Sequence, residues 1–187
     1  MNPVRLVFIM LCLFLFACKN KNEKQEQYIQ VIDFLKGSLR ELRSDSLEME
    51  RSIQIDSFAE TTLNADYSSI ETDINPFITD EISPGNFEKH FKETSFVDAS
   101  TNSITFSYQS LDKNTSIKQV DVHILPATES IQYLYITRNG KAGDTTFAQK
   151  LLWKSGSHYT LITEYHTDHR QFNRIEKLRW HKKGAAS

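Results

Sequence analysis

Thiols are scarce in this chain. Of its 187 residues only two are cysteine, Cys12 and Cys18, so beyond Cys18 there is nothing to form a disulfide, a cysteine-ligated zinc site or a cysteine nucleophile. Long apolar runs are equally scarce. The longest, the twelve residues 6–17, covers about 18 Å as a helix, well short of the roughly 30 Å hydrocarbon core of a bilayer, so no retained transmembrane anchor is expected. Also absent are Gly-x-Ser-x-Gly, His-Glu-x-x-His, a phosphate-cradling glycine loop and a paired-cysteine zinc pattern. The familiar hydrolase, metalloprotease and nucleotide-binding chemistries therefore have no motif to carry them.

What is present first is an address. Arg5 supplies a positive start, residues 6–17 are all apolar, and the small Ala17 stands before Cys18, after which the chain turns polar at Lys19-Asn20-Lys21. These are the parts of a secretory signal peptide. Leu15-Phe16-Ala17-Cys18 further resembles the lipobox of bacterial lipoproteins. The resemblance covers about the first two dozen residues. It implies cleavage before Cys18, diacylation of its sulfur and acylation of the new amine, and it implies no fold for the rest. Phe16 departs from the small or hydroxyl residue common at its position. Two or three acyl chains make a stable anchor where one binds reversibly. Lys19 is not the aspartate that retains enteric lipoproteins at the inner membrane, so the resemblance implies a cell-envelope protein lipid-anchored at the outer membrane, with the covalent lipid on Cys18 and no other cofactor.

The chain carries 22 Lys and Arg against 24 Asp and Glu, but unevenly. Residues 23–81 hold 5 basic and 14 acidic side chains, and residues 82–187 hold 14 and 10. The acidic half is expected to lie against the basic half or to present a solvated helical face. The functional alternative is a basic C-terminal surface meeting phosphate head groups or anionic glycans.

The domain plan is a signal peptide over 1–17, a lipidated tether over 18–27, one domain over 28–181 and a tail over 182–187. The domain should have a helical part, 28–95, and an antiparallel sheet, 103–181. Tyr28, Ile32, Leu35, Leu39 and Leu42 form the seam of an amphipathic helix. Asp45 and Glu48 resemble a capping box, which predicts a second helix over 46–62, one long bent helix being the alternative. Residues 63–82 read as a connector with a helical turn near 68–72. Ser83-Pro84 opens a short helix with Phe87 and Phe91 on its buried side. From Ser103 the period becomes two. Strands are expected around Ile104-Phe106-Tyr108, Val120-Val122-Ile124, Ile131-Tyr133-Tyr135, Phe147-Leu151-Trp153, Tyr159-Leu161-Tyr165 and Phe172-Leu178-Trp180, separated by turns too short for helical crossovers. The expected class is α+β, with N-terminal helices packed on one face of a six-stranded antiparallel meander, curved as far as a half-barrel.

Candidate chemistry is sparse. Glu164, His166 and Asp168 share a strand face with His169 beside them, a set that could meet a metal or simply be the polar face of a hairpin. Basic residues recur at Arg170, Arg174, Lys177, Arg179, Lys182 and Lys183, with Phe172 and Trp180 between them, and the first four could mark a binding surface. Alternation puts Lys177 and Arg179 opposite Leu178 and Trp180, as the solvent side of an edge strand, and nucleic acid is not the expected partner. The expectation is a non-catalytic binding or assembly module for an envelope protein or component, attached to the membrane by its lipid. The alternative is a carrier holding an apolar ligand between the sheet and its helices.

Overall fold

In the computed structural model the described residues are 29–44, 46–63 and 65–184, without the side chain of Leu63. Cys18, the signal segment, the tether, Tyr28 and Asp45 lie outside them, as do residues 185–187. The element order is α1 (Val31–Leu42), β1 (Leu47–Ile55), β2 (Phe58–Leu63), α2 (Tyr67–Ile74) and α3 (Pro84–His90), then β3 (Phe91–Asp98), β4 (Ser103–Ser110) and β5 (Ile117–Leu125). β6 (Ser130–Ala142), β7 (Thr145–Lys154), β8 (His158–His166) and β9 (Gln171–Lys182) complete the chain. Two 3-10 turns, Asn75–Phe77 and Asp80–Ile82, join α2 to α3.

All nine strands form one antiparallel sheet in the order β2-β1-β9-β8-β7-β6-β5-β4-β3. The sheet is open, with β2 and β3 at its edges. The expected class is therefore corrected: the protein is mostly sheet, with three short helices among the described residues, rather than a helical half on a six-stranded one. The six strands expected after residue 103 are present, and three were missed. Residues 47–63 form a hairpin instead of a helix. Leu47, Met49, Arg51, Ile53 and Ile55 alternate with Glu48, Glu50, Ser52 and Gln54 at the strand period, and Asp56, at φ +51°, turns the chain back into β2. β3, whose start over 91–95 falls in the expected helical part, is almost wholly exposed and has its apolar Phe96 and Val97 adjacent, so alternation had little to mark.

The hairpin changes the position of β9. β1 pairs with it from Leu47↔Lys182 to Ile55↔Arg174, so β9 is interior and not the expected edge. The charge asymmetry of the two halves is partly satisfied here: β1 and its turn supply Glu48, Glu50 and Asp56 to His181, Arg179 and Arg170.

Register lines up the face beneath the helices. Arg51, Leu178, Tyr159, Trp153, Leu134, Val122 and Phe106 form one row across seven strands, and Ile53, Glu176, Leu161, Leu151, Ile136, Val120 and Tyr108 the next. Val31, Leu35, Leu39 and Leu42 of α1, Ile70 and Ile74 of α2, and Phe87 of α3 are buried against these rows in one core. At about 25 cal/mol per Å² of apolar surface removed from water, that burial is the main term holding helices to sheet. Pro84 starts α3 as expected from its fixed φ, although the Ser83 hydroxyl makes no capping bond.

Candidate functional site

The helices do not cover the whole core face. At the end of the sheet where α1 begins, an apolar groove of about 610 Å³ lies between α1 and β4–β6. Ile29 and Phe34 form its helical wall, and Ile104, Phe106, Ile124 and Ile131 its floor. A bulge makes this floor: His123 pairs with Tyr133 but Ile124 with Ile131, so Gln132 is the extra residue and Ile131 and Leu134 both turn toward the core while Tyr133 points out. The inward set on β6 is therefore Ile131, Leu134 and Ile136, which draws on both of the strand's apolar faces, Ile131-Tyr133-Tyr135 and Leu134-Ile136. Phe34 closes the inner end of the groove, its ring edge-on to Trp153 at 6.4 Å. The charged residues lining the groove are Asp33 and Glu129, both exposed at its rim.

Next to the α2 helix lies a second arrangement, polar and sealed. Arg51 donates to Asp73 at 2.8 Å and also to Glu176, while Arg174 pairs with the other oxygen of Glu176 at 3.2 Å. The Tyr159 hydroxyl donates to Asp73 at 2.9 Å. Burial, then the neighbouring Asp73, raises the Glu176 carboxyl above the usual range. Burial likewise lifts the Tyr159 hydroxyl far above its ordinary value, with the Asp73 charge adding to it. Burial works against the charge of Arg51, but Asp73 and Glu176 outweigh it. Each acid here is committed to an arginine, so the cluster locks α2 and β1 to β8 and β9 instead of offering a free base.

The residues nominated from sequence are scattered. Glu164 lies on the outer face of β8 and pairs with Lys150 at 2.8 Å, which holds its carboxyl below the ordinary value. His166 is exposed at the end of β8, and Asp168 and His169 lie in the next turn, which Thr167 organises by accepting the Arg170 N–H at 2.9 Å. No group of three or more His, Cys, Asp or Glu able to hold a metal occurs among the described residues. Arg170 stacks on Phe172 at 4.9 Å and pairs with Asp56, and Arg174 faces the core. Lys177 and Arg179 lie on the opposite, outer face.

The groove was only half legible. Ile104, Phe106, Ile124 and Ile131 stand out as an apolar strand face, but nothing in their spacing says that α1 stops short of covering them. Ile29 and Phe34 lie off the seam that marked the helix, and α1 begins at Val31 with Ile29 just before it. No protein-family model matches the chain, and no curated protein or solved structure matches it either.

Proposed function

We propose that this protein is a non-catalytic lipoprotein of the cell envelope, anchored through acyl chains on Cys18 at the outer membrane, and that it is a binding module for an apolar ligand seated between α1 and β4–β6. The observation that carries the ligand is the groove itself. Its volume falls within the roughly 300–1,000 Å³ of small-molecule sites, and an apolar lining with a few polar groups at the rim is the usual composition of such sites. Because the rim charges are Asp33 and Glu129, an apolar molecule with a neutral or cationic head fits better than a free fatty acid. The acids best placed for chemistry, Asp73 and Glu176, are buried and bound to Arg51, which favours binding over catalysis.

A second reading is docking of an envelope protein on β3. This edge strand carries Phe96 and Val97, each 66% exposed, beside a row of unpaired backbone groups to which another strand can add.

Mass spectrometry of the protein purified from its own membranes tests both readings. Expected are acyl chains on Cys18, lost in Cys18→Ser together with cleavage, and a co-purifying apolar molecule lost in Ile131→Glu. An unacylated Cys18 would end the anchor reading. A cross-linked protein on β3 with an empty groove would favour the second reading.

A further inference from the structure

On the face of the sheet that the helices leave bare, register sets Arg179, His158, Lys154, Tyr133 and His123 in one line across β9, β8, β7, β6 and β5. Lys177 stands two residues before Arg179 on the same face of β9. Three cations thus surround one imidazole. Among the described residues Lys154 and Lys177 make no ion pair, and Arg179 reaches Glu50 only at 3.6 Å. The other acids nearby have hydrogen-bond partners but keep their charge: Asp121 accepts from the neutral Ser107 and Gln119, and Glu48 meets His181. The imidazole registers the excess, since burial and then Lys177, Lys154 and Arg179 all lower the His158 pKa, while Ser157 is its hydrogen-bond neighbour at 3.0 Å.

Apolar groups lie among these charges. A shallow basin of about 390 Å³ is lined by Asp121, His123, Tyr133, Leu152, Lys154 and His158 among others, and Tyr133 and Leu152 remain 46% and 42% exposed. The Lys154 ammonium stands 5.6 Å from the Tyr133 ring centre. Its position in the fold narrows what it meets. Ile131, beside Ile29 in the groove, is two residues from Tyr133, so Ile29, the first described residue, lies at this same end of the sheet. The eleven residue steps from Cys18 to Ile29 span at most about 36–40 Å when fully extended.

We propose that this outer face is a membrane-contact surface, in which Lys154, Lys177 and Arg179 take the phosphates of anionic lipid headgroups and Tyr133 and Leu152 enter the interfacial layer. Lysine and arginine gain from the negative surface potential of such a bilayer, and aromatic rings favour its headgroup level. The proposal rests on the lipid-anchored reading for what holds the domain within reach of the surface. It does not depend on the groove being filled.

The test uses the full lipidated protein in vesicles of phosphatidylcholine alone or with added phosphatidylglycerol. A water-soluble amine reagent is applied and its sites are mapped by mass spectrometry, with Lys113, exposed in the β4–β5 turn at the far end of the sheet, as the reference. Expected is a several-fold slowing of modification at Lys154 and Lys177, but not Lys113, in the anionic vesicles, reversed by high salt. In Lys154→Gln the protection of Lys177 should weaken. Equal rates at Lys154 in both vesicles would overturn the proposal, as would equal protection of Lys113. Protection by inorganic phosphate in phosphatidylcholine alone would reassign the cluster to a soluble phosphate. If Cys18 proves unacylated the anchor reading fails separately. Protection of Lys154 on adding phosphatidylglycerol vesicles to that protein would still support the surface, and no protection would overturn it.

Discussion

Trp153 lies almost flat on Tyr159, ring centres 5.4 Å apart and planes 17° from parallel, so the bulkiest side chain of the core rests on the residue whose hydroxyl reaches Asp73. Trp180 completes the aromatic group at 5.4 Å from Trp153. Trp153→Ala should therefore cost about 3–5 kcal/mol, as emptying a packed aromatic site does, against a total of about 5–15 kcal/mol for a domain. Lys154→Ala, the next residue but on the other face, should stay within about 0.5 kcal/mol of the parent. Urea denaturation checks both, and coincident midpoints would show the assigned faces to be wrong.

Among the described residues Arg51 is the one cation paired with both Asp73 and Glu176. Arg51→Met leaves two neighbouring buried carboxyls with less compensation, and breaking such a group from one side costs about 3–5 kcal/mol. The sign of the pH dependence follows from Glu176. Its carboxyl is raised above its unfolded value by burial and by Asp73, so the stability it contributes is fully present below the unfolded value and is lost as pH rises through the folded one. Without Arg51 that loss grows. The deficit of Arg51→Met relative to the parent should accordingly shrink as pH is lowered into the carboxylate range, and a deficit independent of pH in urea titrations would refute the account.

The parts of this fold that the chain announces are those where one face is buried and the other wet. Tyr108, Val120, Leu151, Leu161 and Leu178 are buried on strands whose alternation is plain, and those strands were located from it. Residues 47–63 mislead because Met49 and Ile53, four apart, also suit a helical face, and only pairing with β9 decides between the periods. β3 is obscured for the opposite reason: as an exposed edge with Lys92, Glu93 and Thr94, it has no buried stripe. The groove floor and the outer cationic line are products of register, which in the line brings together residues 56 positions apart, from His123 to Arg179, and no local pattern contains that information.

Glu81 ties the segment after α2 to the start of β5. Its carboxylate accepts from the Ser116 N–H at 2.9 Å, the Ser116 hydroxyl at 3.0 Å and the Ile117 N–H at 2.8 Å. Burial alone would raise its pKa, but these donors lower it overall. A lowered carboxyl stabilises the fold above its unfolded value, near 4.5, and that contribution disappears as pH falls through the folded value. Glu81→Gln should thus cost about 1–3 kcal/mol at neutral pH, the range for a hydrogen-bonded charge, and the gap from the parent should close below that value. Denaturant midpoints for the two proteins, measured across pH, would expose the error if they ran parallel.

Gly140 and Phe147 form a cross-strand pair in which the ring lies over the glycine backbone. A side chain built at Gly140 would put its Cβ 2.3 Å from Cζ, 2.6 Å from Cε2 and 3.0 Å from Cε1 of Phe147, the first two closer than real Cβ atoms come. The ring is not free to move without loss. It is tilted against Tyr165 at 6.4 Å and carries the Arg138 guanidinium at 5.5 Å, and Phe77 holds the same guanidinium at 5.6 Å. Gly140→Ala should consequently destabilise by about 1–3 kcal/mol, the usual cost of overpacking, even though alanine suits a strand interior better than glycine. The conflict is with the ring and not with the backbone, so Phe147→Ala should remove it: in that background Gly140→Ala should be neutral or mildly stabilising. A double-mutant cycle in urea measures the coupling directly. Additive effects of the two substitutions would mean that the ring does not rest on Gly140 and that β6 and β7 meet in another register.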